Sequence, residues 1–115
     1  MKPSDSVPFT VEPLDERRVR VRFSAICDQA RTKEHDDELQ RLVERFDVIA
    51  ADLTENTALS SNWVRWLGRM TTKADRAGKS FVIVGPHENF KVAADVLALQ
   101  DTLHTAETLE GAWTQ

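Results

Sequence analysis

The sequence predicts an α/β fold: a mixed β-sheet of four to five strands with about four helices packed mainly on one face. Three observations carry this reading. Apolar and polar residues alternate in two stretches near the start, at Phe9 and Val11 and again at Val19, Val21 and Phe23. Two nearly unbroken apolar runs follow, Val48 to Leu53 and Phe81 to Val84, as strands covered on both faces require. Around these runs lie segments whose apolar residues recur at helical spacing.

Taken in order, residues 1–6 carry Pro, Ser and Asp without periodicity and predict a loose tail, with one domain over residues 7–115. Polar Asp15 to Arg18 separates the two alternating stretches, which predicts a hairpin. From Ala30 to Phe46, residues Leu39, Leu42, Val43 and Phe46 share one stripe. Glu34, Asp36 and Asp37 stand near its start, where the helix dipole favours acids. The run to Leu53 then predicts a central strand. Ser60 and Ser61 are good N-caps for a second helix that reaches about Ala77 and stops at Gly78. The strand Phe81 to Val84 ends at Gly85 and Pro86, after which Phe90, Ala94 and Leu97 repeat at helical spacing. A segment around Leu103 predicts an edge strand, and Ala106 to Trp113 a last short helix with Leu109 and Trp113 turned inward.

Composition narrows the function classes. At 115 residues, 41% hydrophobic and 30% charged, the chain can bury one packed core. Its net charge is -4, with Lys and Arg interspersed among acids, so a nucleic-acid partner is not expected. Cys27 is the sole cysteine, which rules out an internal disulfide and reads as a small buried hydrophobe. Neither an apolar signal segment nor a run of about 18 apolar residues is present, so the expectation is a cytoplasmic protein without membrane insertion. His35, His87 and His104 do not fall at metal-ligand spacing with one another or with Cys27, and Gly68, Gly78, Gly85 and Gly111 are ungrouped, so no phosphate loop is formed. No catalytic residue, metal or cofactor can be named, and the chain reads as non-catalytic.

The informative segment runs Asp52-Leu53-Thr54-Glu55-Asn56-Thr57-Ala58-Leu59-Ser60-Ser61-Asn62-Trp63: a buried strand, a loop, two hydroxyls and a helix start. Here the chain resembles the STAS family of bacterial anti-sigma factor antagonists. Their strand ends in Asp-Leu and is followed by a short loop, an apolar residue with Asp-Ser-Ser-Gly, and a helix whose first turns meet a partner. In this register Ser60 stands at the family's Asp, Ser61 at the serine that family kinases phosphorylate, Asn62 at the second serine and Trp63 at the glycine. The register continues without a gap through Gly78, Phe81 to Val84, Pro86, Ala98-Leu99 and Leu109 to Ala112. It covers roughly Phe46 to Trp113, and the opening hairpin fits more loosely.

The resemblance implies a regulatory module for transcription and signalling that binds an anti-sigma factor or switch kinase through the Ser60 to Met70 surface, with Ser61, or Ser60, as phospho-acceptor. Asn62, Trp63, Trp66 and Met70 are the partner-binding residues it points to. On periodicity alone Trp63, Trp66 and Met70 form a core stripe with Leu67 and Ala74. The family register instead sends Val64, Leu67 and Thr71 to the sheet and leaves the two tryptophans and Met70 near an exposed flank, where they would mark an interface. The alternative function is a STAS-fold assembly subunit that works without phosphorylation, through self-association or within a membrane transport complex.

Overall fold

The computed structural model of the chain describes residues 8–27, 32–99 and 101–114. The expected tail over residues 1–6 and the expected helix start at Ala30 lie outside the described residues. Strands β1 (Phe9–Pro13) and β2 (Arg18–Phe23) form the hairpin, with Phe9 opposite Phe23 and Val11 opposite Val21. Its turn is held by Asp15, whose Oδ1 accepts from the amides of Arg17 and Arg18, both at 2.8 Å. This is a side-chain substitute for a backbone turn bond.

After a two-residue strand β3 (Ile26–Cys27), helix α1 (Lys33–Arg45) leads to β4 (Val48–Asp52). A second two-residue strand, β5 (Ala58–Leu59), precedes α2 (Ser61–Arg76), which leads to β6 (Ser80–Val84). Helix α3 (Glu88–Val96) leads to β7 (His104–Ala106), and α4 (Leu109–Trp113) follows. The main sheet has the order β1-β2-β4-β6-β7; β4 is parallel to β2 and to β6, and β7 is parallel to β6. The two apolar runs are therefore adjacent central strands, paired from Val48 opposite Ser80 to Asp52 opposite Val84. The short strands β3 and β5 pair in parallel as a separate ribbon, which no sequence periodicity announced because each is only two residues long.

Strand alternation divides the core in two. Val19, Val21, Phe23, Ile49, Ala51, Leu53, Phe81 and Ile83 face α1, α2 and α3 in the larger core, while Ala50, Val82 and Val84 face α4. Arg18 lies over the Trp113 ring at 5.4 Å, which ties α4 to β2. Three helices on one face and one short helix on the other match the expected layering. Thr32 and His35 form a reciprocal capping box at the start of α1. At its end Lys79 Nζ donates to the carbonyls of Val43 and Phe46, each at 3.0 Å. Gly78, at φ 75°, ends α2 in the left-handed region that glycine occupies without strain.

One expectation is corrected. Trp63 and Trp66 are fully buried and Met70 is 3% exposed, so none of the three stands on an outer flank as a partner anchor. The helix is broadly amphipathic, and it buries Trp63, Trp66, Leu67, Met70 and Ala74 together. Two neighbours cover what the sheet alone would leave open. Phe9 of β1 stacks on Trp66 at 6.3 Å and meets Trp63 edge-on at 6.4 Å, and His35 of α1 lies 5.3 Å from Trp63. The Trp66 indole N–H donates to Asp36 Oδ1 at 2.6 Å, so its burial leaves no donor unsatisfied.

Candidate functional site

The candidate site is built where three chain segments converge beyond the C-terminal ends of β2, β4 and β6. The loop between β4 and α2 is held by one buried side chain, Asn56. Its Nδ2 donates to Ser24 O at 2.6 Å and to Ala58 O at 3.1 Å, and its Oδ1 faces His87 Nε2 at 2.8 Å. His87 Nδ1 in turn accepts from the Phe90 amide at 3.2 Å as the N-cap of α3. A ring that accepts at Nδ1 and faces an amide oxygen at Nε2 is the neutral tautomer protonated at Nε2. Burial agrees with this, holding the imidazole below its ordinary value of 6.5.

The same loop is clamped along its length. Ala25 O accepts from the Thr57 amide and hydroxyl and from the Ala58 amide, and Cys27 O accepts from the Ser60 amide at 3.1 Å. At the loop entrance the Thr54 amide and hydroxyl donate to Asp52 Oδ1 at 2.9 and 2.7 Å, and Arg20 reaches Asp52 Oδ2 at 2.6 Å. Burial alone would raise the Asp52 carboxyl, but the Thr54 and Arg20 contacts outweigh it and hold the group below 3.8. Gly85, at φ 62°, passes so close to Thr54 that a Cβ there would meet Thr54 Cγ2 at 2.5 Å. Glycine is required there by both backbone and space.

This scaffold presents the start of α2. Ser60 is the N-cap, in extended backbone conformation, and its carbonyl accepts from the Trp63 and Val64 amides, yet its hydroxyl makes no capping bond. Ser61 is the first helical residue and is exposed, as is Asn62. The serines predicted as caps thus leave their hydroxyls out of the helix-start hydrogen bonding. Asn62 Oδ1 accepts weakly from Arg65 at 3.4 Å, and the first turn holds no acidic residue. An exposed hydroxyl at the positive end of a helix, with a guanidinium one turn on, is chemically suited to carry an anionic group.

Of the residues predicted for the site, Ser60, Ser61 and Asn62 come together at this surface, while Trp63, Trp66 and Met70 lie beneath it. Asn56, His87 and Thr54 were missed. Asn56 sits in a short polar loop like any other, and the one signal for His87 was its place three residues before the first member of a helical repeat, Phe90. Among the described residues no group of three His, Cys, Asp or Glu side chains could hold a metal ion, and no helix is long and apolar enough to cross a membrane. A groove of about 560 Å³ between α1 and α2, lined in part by Gln40, Glu44, Lys73, Arg76 and Lys79, lies at the far end of α2.

No family model matches the sequence, and no curated protein matches it. Solved structures do match the fold. The anti-sigma factor antagonist SpoIIAA in its unphosphorylated form aligns with TM-score 0.69 over 91% of this chain and 92% of its own, at 13% identity. The Bacillus SpoIIAA in its phosphorylated form gives 0.71 over 92% and 96%, again at 13% identity. RsbS of Moorella thermoacetica gives 0.70 over 94% and 93%, at the same identity. The strand order, the paired central strands and this end-to-end alignment together establish that the chain has the STAS-type fold of the anti-sigma factor antagonists.

Proposed function

We propose that the chain is a non-catalytic, cytoplasmic regulatory module that binds an anti-sigma factor or switch-kinase-like protein through the start of α2, and that phosphorylation of Ser61 releases this partner. The observation that carries the reading is the state of Ser61: exposed, first in the helix and free of any capping role, on a loop that Asn56 and Ala25 hold rigid. The likeness to SpoIIAA, solved in both unphosphorylated and phosphorylated forms, supports it. Ser60 is the lesser acceptor, being half-buried.

A phosphate on Ser61 adds roughly -1.5 to -2 charges and strong acceptor oxygens. The helix would tolerate it, because first-turn amides and Arg65 stand ready to pair with it. A partner seated over the same spot would have to desolvate a dianion and would dissociate without the domain refolding. The contact residues in this reading are Ser60, Ser61 and Asn62, while Trp63 and Trp66 hold the surface from behind.

The test is to incubate the protein with ATP and the histidine-kinase-like ATPase encoded nearest to it, and to follow complex formation and phosphopeptides together. The expected result is a complex that disappears as Ser61 becomes phosphorylated, persists in Ser61→Ala and never forms in Ser61→Glu. A Ser61→Ala protein still phosphorylated and still released would sink the assignment. A second reading, a self-associating subunit that needs no phosphate, is favoured by Val92 and Val96, exposed one turn apart on α3 at 54% and 79%. Sedimentation of Val96→Glu against the parent separates it.

A further inference from the structure

The outer face of α2 carries Arg65, Arg69, Lys73 and Arg76, all exposed. At about 3.6 residues per turn, spacings of four, four and three place them on one ridge of about 16 Å. The helix holds four of the chain's 15 basic residues and, in Asp75, one of its 19 acidic ones, although the net charge of the chain is -4. Asp75 is itself turned to His104, 3.0 Å away.

No carboxylate among the described residues forms an ion pair with any of the four ridge cations. The partners they have are neutral: Arg65 donates to Asn62 Oδ1 and Lys73 to Gln40 Oε1. Elsewhere Arg17, Arg18, Arg20, Arg22, Lys33 and Lys79 each have a carboxylate partner, while the other unmatched cations among the described residues, Arg41, Arg45 and Lys91, are scattered over α1 and α3 and form no such row. Like charges four apart destabilise a helix, so the isolated chain gains nothing from grouping Arg65, Arg69 and Lys73. The unneutralised N-terminal pole of α2 adds to the same field.

We propose that this ridge docks a carboxylate-rich surface of a protein partner, which supplies the acidic residues that the chain withholds. Charge complementarity over one helix length is what favours a protein. Outside α2 the chain carries 11 basic against 18 acidic residues (15 − 4 and 19 − 1), a balance that disfavours a duplex or an anionic membrane, which would extend past the ridge. The inference rests on the reading of α2 as the partner-binding helix and adds the chemistry of the partner.

The test is an amide-resonance titration of the full chain with hexaglutamate at low and high salt. The expected result is salt-sensitive, saturable shifts confined to residues 61–76. In Arg65→Ala/Arg69→Ala the affinity should fall by about tenfold or more, with amide dispersion retained, whereas Arg17→Ala should stay within about twofold. Shifts that are absent, scattered or unaltered in the double variant would overturn the proposal. Tighter binding of duplex DNA, or of phosphatidylserine vesicles, at the same ridge would overturn it too. Loss of the titration while Ser61 remains a kinase substrate removes the ridge proposal alone; an intact titration with Ser61 never modified removes the phosphorylation reading alone.

Discussion

Strand β2 and helix α2 both carry regularly spaced basic side chains, and the molecule treats them in opposite ways. On β2, Arg18, Arg20 and Arg22 project from the face opposite the larger core, and each is matched: Arg18 by Asp15, Arg20 by Glu12 and buried Asp52, Arg22 by Glu12. On α2 the cations face solvent with neutral partners. Charge neutralised within the chain is structural, because a buried carboxylate needs a nearby cation to stay ionised without penalty. Charge left unmatched on a rigid helix does no structural work and is available to something outside.

The sharpest way to break this contrast is to compare the two faces of α2 itself. Trp63→Ala should destabilise the domain by about 3 to 5 kcal/mol, because the cavity opens between Phe9, Phe23, His35 and Trp66. Arg69→Ala, on the outer face, should stay within about 0.5 kcal/mol. Thermal unfolding of the two variants decides it, and equal losses would mean that the outer face is structural after all.

A smaller effect tests the sheet face. Arg20→Ala leaves Asp52, 2% exposed, without its cation but still bonded to Thr54, and should cost about 1 to 3 kcal/mol. Urea unfolding is the measurement; a cost as small as that of Arg69→Ala would remove the distinction between matched and unmatched arginines.

The smallest expected effect concerns the loop clasp under Ser61. The folded chain holds His87 below 6.5, so the unfolded chain binds the proton more readily. The stability His87 contributes is therefore present above about pH 6.5 and is lost as the pH falls through the folded value. The cause is burial, which disfavours the charged ring, and a proton on Nδ1 would also take away the acceptor of the Phe90 amide. In His87→Asn, where an amide oxygen can cap without titrating, the decline between pH 7 and the folded value should flatten. An unchanged pH profile would show that the clasp does not titrate.

The sequence by itself determined the layer order, since strand alternation, buried runs and helical stripes are local patterns of one or two turns. Val48 to Leu53 and Phe81 to Val84 as buried strands, the stop at Gly78 and the helix start near Ser61 were all legible in this way. Only the tertiary structure decided which side of α2 is inside. A helix with apolar residues at 63, 64, 66, 67, 70 and 74 presents a face too wide for the sheet alone, and its burial depended on Phe9 and His35 arriving from distant parts of the chain. The Asn56–His87 clasp was decided the same way, because its partners are 31 residues apart and neither belongs to a repeating pattern. The ridge escaped the sequence reading, which found Lys and Arg interspersed with acids; helical spacing puts four cations on one face of α2, but whether a carboxylate reaches them depends on every element folded around that helix.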